Sequence, residues 1–315
     1  MSSAATGVSE AGARAVGAGP GPSARRRRVG WLLVAPAAAI LLAVLAWPIL
    51  DSLLLSFQRV DTGGGRFSGT WVGLGNYRAL PADPSFGVAV KNSLYFTAVE
   101  VALVIGLGLA VALLLNTPRG RSPVYRVVLL VPWAIAPVAN AVLWKWIYNA
   151  NYGVLNALLR GAGVIDGNVV WLGAPFRALN MLLVADVWKS VPFIALLLFA
   201  GLQNIPPVLY RAARLDGARA WQRFRFVTLP MLRSTLLIAV VLQSIWALKV
   251  FDLVYVLTKG GPADGTVLLN FLAYRTSFNF GELGRGAAIA NVLFVFMLLL
   301  AIAYVRSFRP REAAA

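Results

Sequence analysis

Six stretches of the chain are apolar for long enough to cross a lipid bilayer, and the polar residues collect between them. A helix of about 20 apolar residues spans a hydrocarbon layer about 30 Å thick. The pattern predicts helices over Val29–Phe57, Val88–Leu115, Val124–Tyr148, Leu179–Gly201, Met231–Leu257 and Gly286–Val305. Pro36 and Pro48 interrupt the first run, and Pro132 and Pro137 the third. Membrane helices tolerate such breaks when neighbouring groups satisfy the freed backbone. No alternating strand pattern, no solenoid period and no inverted repeat stands out. The first run follows four arginines, as a secretory signal would, but it is about twice the usual length of a signal core. It therefore reads as a retained first span.

Composition agrees with this pattern. Hydrophobic residues make up 59% of the 315 and charged residues only 13%, too few to cover a soluble domain. The net charge of +17 would suggest a nucleic-acid partner in a soluble protein. In a chain of apolar spans it reads as basic loops on the cytoplasmic side, and no nucleic acid is expected. There is no Cys and no His, which removes disulfides, thiolates and imidazole ligands or bases.

Arginine density sets an orientation. Arg25–Arg28, Arg119, Arg121, Arg126, the run from Arg211 to Arg233, and Arg306, Arg309 and Arg311 fall on one side of the six spans. The longer loops on the other side carry fewer basic residues. This places both termini in the cytoplasm. The expected organisation is a disordered basic N-terminus over 1–28, a transmembrane domain over 29–308 and a cytoplasmic tail over 309–315.

Ionisable residues inside spans mark functional positions or internal pairs. Asp51 lies near the end of its span and reads as solvated; the others are Glu100, Asp186, Lys189, Lys249 and Asp252. Asp186 and Lys189 are three residues apart, as are Lys249 and Asp252, a spacing that shares a helix face. Two readings stay open: neutralising ion pairs, or a polar translocation path. A sugar needs hydroxyl partners and flat apolar faces, and Trp133, Asp186, Ser190 and Gln243 supply both. Trp133 and Trp246 can equally be packing or lipid-facing residues.

The loop over about 202–230 is distinctive: Ile205 to Pro230 reads IPPVLYRAARLDGARAWQRFRFVTLP. Pro206 and Pro207 suit a helix start. Gly217 permits a backbone turn after Leu215, and Asp216 is placed to cap a second helix over Ala218–Phe226. Ala212, Ala213, Gly217 and Ala218 allow another protein to approach closely. The same segment can also be an amphipathic pair resting on lipid.

Its residues resemble the "EAA" loop of binding-protein-dependent ABC importer permeases. Ala212-Ala213, Asp216-Gly217-Ala218, Phe224 and Thr228-Leu229-Pro230 match that pattern, and Arg211 stands where the family has glutamate. The likeness runs from about Trp31 to Phe308 and is strongest to the carbohydrate branch, the maltose- and trehalose-type permeases. Gly73-Leu74-Gly75-Asn76-Tyr77, Leu257-Thr258-Lys259-Gly260-Gly261-Pro262 and Tyr274-Arg275-Thr276-Ser277-Phe278 carry it.

The resemblance implies an all-α, six-span type I importer permease fold. It implies a partner permease of similar fold, two copies of an ABC ATPase and an extracytoplasmic sugar-binding protein, in a bacterial inner membrane. Tyr210, Arg211, Ala212, Ala213, Asp216, Gly217 and Ala218 become the ATPase-coupling residues. Sugar-contacting positions fall on Trp133, Asp186, Lys189, Ser190 and Gln243, with Trp246 beside them; Pro137, Ala247 and Val250 occupy others with apolar groups.

A P-loop requires a Gly-Lys pair to cradle phosphate, and the chain has none. It is expected to be no enzyme and to hold no cofactor, ATP being used by the partner. The alternatives are a proton-coupled transporter working through the charged pairs, and a permease for glycerol phosphates.

Overall fold

The computed structural model describes residues 24–61, 68–117 and 122–308. The expected tail over 309–315 and most of the N-terminal segment, residues 1–23, lie outside the described residues. From Ala24 the chain is helical: α1 (Ala24–Leu41), a π-turn over Leu42–Ala46 and α2 (Trp47–Ser56) run on as the first span. The helix thus takes in Arg25–Arg28, which the sequence leaves to a tail; arginine is a good helix former and needs no break there. The π-turn ends two residues before Pro48. Proline lacks an N–H and its ring crowds the preceding turn, and a wider turn accommodates both.

The sequence shows no strand, yet a short hairpin follows. Strands β1 (Gln58–Asp61) and β2 (Ser68–Trp71) pair antiparallel, with Gln58 opposite Trp71. Four polar-rich residues a side are too few to announce a strand by alternation. The Gly73–Tyr77 motif holds this hairpin in place. Gly73 takes a left-handed φ of 57° to start α3 (Gly75–Ala79). Asn76 Nδ2 then donates to the carbonyls of Ser56 and Gln58, at 2.8 and 2.9 Å. Tyr77 joins the Ser56 hydroxyl at 2.7 Å.

The second span, α4 (Pro84–Leu115), starts under the side chain of Asp83, which accepts from Ser85 N at 2.9 Å. The third is broken into α5 (Pro123–Ala134) and α6 (Pro137–Ile147), bent by 89°. A short α7 (Val154–Gly161) leads to the fourth span, α8 (Pro175–Gln203), and then to α9 (Pro207–Leu215). The fifth span begins earlier than its apolar run: α10 (Ala220–Arg223), a π-turn over Phe224–Thr228 and α11 (Leu229–Leu248) form one helix. Here too the π-turn ends two residues before a proline, Pro230, so the segment expected as a separate second helix joins the span. After α12 (Leu269–Tyr274) and another π-turn, α13 (Leu283–Phe308) forms the sixth span.

Spans two and four make the central packing of the bundle. At Gly108 an added methyl would lie 2.9 Å from Ile194, and at Gly201 2.8 Å from Leu232. Small residues let membrane helices approach at such points. Val104, Ile194, Leu198 and Leu232 form one buried cluster, and Phe96, Leu182, Leu248, Leu268 and Ile289 belong to a second.

Beyond the far end of the fifth span, the Leu257–Pro262 and Tyr274–Phe278 motifs meet. Lys259, Gly260, Ala263 and Asp264 all have positive φ, a conformation costly for non-glycine residues. Arg275 grips the Asp264 carboxylate with two bonds, at 2.7 and 3.2 Å, and Ser85 adds a third at 3.0 Å. Asn92 Nδ2 lies 3.2–3.3 Å from the carbonyls of Asp264, Gly265 and Val267. The bonds from Arg275 hold the Asp264 carboxyl below its ordinary pKa.

Candidate functional site

The bend in the third span has an identifiable cause. A helical carbonyl accepts from the N–H four residues ahead. For Trp133 that residue is Pro137, which has no N–H. Ile135 and Ala136 leave the helix, and Pro137 restarts it in a first turn that suits its fixed φ. Lys189 Nζ takes up the orphaned Trp133 carbonyl at 3.0 Å. Lys189 therefore braces the break.

The fifth span breaks as well. Its apolar run extends to Leu257, but α11 ends at Leu248 and helix resumes only at Asp252. The Lys249 carbonyl, freed by this break, accepts from Asn270 Nδ2 at 2.8 Å. Irregular backbone at membrane depth persists where it is buried in protein or lines a water-filled cavity.

Both breaks face one cavity of about 300 Å³. The third span contributes Trp133, Pro137 and Asn140, and the fourth contributes Asp186, Lys189 and Ser190. Trp246 and the residues from Lys249 to Leu253, across the break, close it. Five of the six expected substrate residues thus share one wall. Their source is three separate spans, so only folding brings them together.

Aromatic rings frame the cavity. Trp133 stacks on Phe193, with centroids 5.2 Å apart and planes at 22°. Phe193 meets Trp246 edge-on, also at 5.2 Å. Trp133 and Trp246 remain 42% and 38% exposed, so each offers ring surface to a ligand. Phe193, Asn140 and Phe251 were not singled out from the sequence. Phe193 carries no polar signal, and Asn140 and Phe251 became candidates only once the two breaks were located.

Gln243 is placed differently. It is wholly buried, and its amide nitrogen donates to Glu100 Oε1 on the second span. It does not line the cavity. Neither charged pair closes into an ion pair among the described residues, where the salt bridges are Arg275–Asp264, Arg285–Asp83 and Arg285–Glu282. Lys189 is drawn to Trp133, and the break at Lys249 removes the helical spacing that would align it with Asp252.

A second site lies on the loop between spans four and five. Helix α9 ends in a tight closure: Ala218 N bonds Ala213 O at 2.9 Å, and Gly217 N bonds Arg214 O at 3.1 Å. Gly217 has φ 76°, the left-handed value this closure requires. Asp216 therefore ends the first helix rather than capping the second. The second start is closed instead by Gln222 Oε1, which accepts from Arg219 N at 2.7 Å. Tyr210 faces inward and bonds the Thr228 hydroxyl at 3.0 Å, tying α9 to the fifth span. Arg211, Ala212 and Asp216 are exposed, with Ala213 and Ala218 half-buried. Leu215 is 90% exposed and Trp221 67%, an apolar tip without cover from the described residues.

The apolar spans, with a cavity lined by the third, fourth and fifth of them, define a polytopic helical membrane protein. Residues 102–311 match the family described as binding-protein-dependent transport system inner membrane component. The trehalose/maltose transport system permease protein MalF of Thermococcus litoralis is 38% identical over 288 residues, covering 91% of this chain and 96% of that one. The trehalose transport system permease protein SugA of Mycobacterium tuberculosis is 33% identical over 303 residues, 96% of each. A chain from the crystal structure of a bacterial ABC transporter involved in the import of alginate superposes with a TM-score of 0.77 at 21% identity, covering 92% of this chain and 98% of that one. The chain belongs to the binding-protein-dependent transport system inner membrane components: it is a transport permease with the importer-permease fold.

Proposed function

We propose that this chain is one of two membrane-spanning subunits of an ATP-driven importer, and that its solute is a sugar, a di- or oligosaccharide. The observation that carries this reading is the cavity between the two broken spans. It pairs open tryptophan faces, which suit the C–H faces of a pyranose, with the hydroxyl, carboxylate and ammonium of Ser190, Asp186 and Lys189, which suit its hydroxyls. The names of the relatives, which include trehalose/maltose and lactose transport system permeases, support the same class of solute.

In this reading an external binding protein delivers the sugar. A related alginate transporter has been crystallised with an oligosaccharide-bound periplasmic protein. Two ABC ATPase subunits hydrolyse ATP on the cytoplasmic side. The segment Tyr210–Ala218 passes their closure to the bundle, its apolar tip at Leu215 entering an ATPase surface. Arg211, in the glutamate's place, gives that contact a positive charge. Both termini are cytoplasmic, and the hairpin and the Asp264 loop face outward. The bundle then rocks between inward- and outward-open states as a rigid-body switch.

The test is uptake by proteoliposomes that hold the chain with its partner permease, ATPase and binding protein. Labelled trehalose, maltose, lactose and diacetylchitobiose form the panel. ATP-dependent accumulation of at least one sugar is expected. Accumulation driven by a pH gradient without ATP, or of no sugar at all, overturns the reading.

A further inference from the structure

Asn140 borders the cavity, yet it is 0% exposed, and among the described residues neither its amide oxygen nor its amide nitrogen has a hydrogen-bond partner. Both atoms of one buried carboxamide are thus unsatisfied, although buried polar groups are nearly always paired. The position makes this more telling. Asn140 sits in the first turn of α6, directly after the break at Ile135 and Ala136. Its backbone N–H is already used, bonding Ala136 O at 2.9 Å, so only the side chain is idle. One turn further along the same face, the buried Trp144 indole N–H also lacks a partner.

We propose that Asn140 is a specificity-determining residue, whose carboxamide binds adjacent hydroxyls of the sugar when the cavity wall opens in the loaded state. A carboxamide offers a donor and an acceptor side by side, and two vicinal hydroxyls present the complementary pair. Asp186, Lys189 and Ser190 lie on the fourth span, so Asn140 reaches the solute from the third, beside the ring of Trp133. This makes the bend in the third span part of recognition: it brings the start of a half-helix and one idle amide to the solute. The inference rests on the sugar reading of the same cavity.

The experiment is direct binding of tritiated trehalose, maltose, lactose and diacetylchitobiose, each in turn, to the purified complete transporter, comparing wild type with N140A and N140D on the sugar that binds. N140A is expected to weaken binding at least about tenfold, the worth of one well-made bonded pair. The complex should still assemble, because no hydrogen bond among the described residues is lost. N140D keeps the acceptor and loses the donor, so it should fall between. Wild-type affinity in N140A overturns the inference and leaves the sugar reading standing. Failure of both variants to assemble also overturns it, because the amide would then serve packing. If the wild type binds none of the four sugars, the sugar reading itself fails, and the inference with it.

Discussion

The loop between spans four and five and the membrane cavity are built in opposite ways. The loop is local: from Pro207 to Arg223 its two short helices and the turn between them come from consecutive residues, and each bond that shapes the turn spans five positions or fewer. The cavity is non-local: Lys189 reaches back 56 residues to hold Trp133, and Trp246 comes from a third span. A local device can be read from a motif. A non-local one depends on where helices break, and breaks follow from which backbone groups lose their partners.

The largest expected effect breaks the local device. Gly217→Val places a β-branched side chain at φ 76°, where even an ordinary residue is strained by about 1–2 kcal/mol. ATP-driven uptake should be lost almost completely while the ATPase subunits keep their unstimulated hydrolysis. Normal uptake by this variant would show that the loop's turn does not matter for coupling.

The next breaks the non-local device. Lys189→Met removes the bond from Nζ that holds the Trp133 carbonyl at the break in the third span. Uptake should fall about tenfold and the tryptophan emission should shift, as Trp133 loses its fixed place. Lys189→Arg should restore much of both. If Lys189 only touches solute, emission without sugar will not change.

Gln243 sharpens the comparison by lying outside both devices. Gln243→Leu strips Glu100 of its partner and should destabilise the bundle by about 1–3 kcal/mol in thermal unfolding. Sugar affinity of the folded complex should stay unchanged. A large loss of affinity at full stability would return Gln243 to the solute site.

These cases show what the sequence makes legible. The six spans are visible because membrane burial demands long apolar runs, and the turn at Gly217 because a left-handed residue so strongly favours glycine. The Gly73–Tyr77 motif is visible as a string, but its purpose, Asn76 bonding Ser56 and Gln58, needs the fold. Gln243 looks like a solute ligand because a polar residue in a span has two possible partners, solute or protein; here Glu100, 143 residues away, takes it. Asn140 goes unnoticed for the converse reason: a single amide in an apolar run says nothing until the bend at Pro137 places it at the cavity wall. The hairpin is missed because its strands are four residues each and rich in polar groups, too short to show an alternation.

The smallest effect concerns the Asp264 loop. Asp264 has a lowered pKa in the fold, chiefly through its bond from Arg275. A depressed carboxyl stabilises the fold above its unfolded pKa of about 3.9 and loses that contribution as pH falls through the lower folded value. The amides of Gly260–Val267 should therefore stay protected from hydrogen exchange at neutral pH and lose protection below about pH 4. Arg275→Gln should show the unprotected pattern already at neutral pH. Equal protection in that variant would assign the loop's order to Asn92 and Ser85 instead.

The central claim is that a cavity made by two broken spans is driven through a loop by subunits this chain does not contain. Native mass spectrometry of the tagged chain, purified from its own membrane in mild detergent, tests that claim most directly. The account predicts an assembly of this chain, one further permease and two ATPase subunits. A species consisting of this chain alone, in a detergent that preserves known importers, would contradict it.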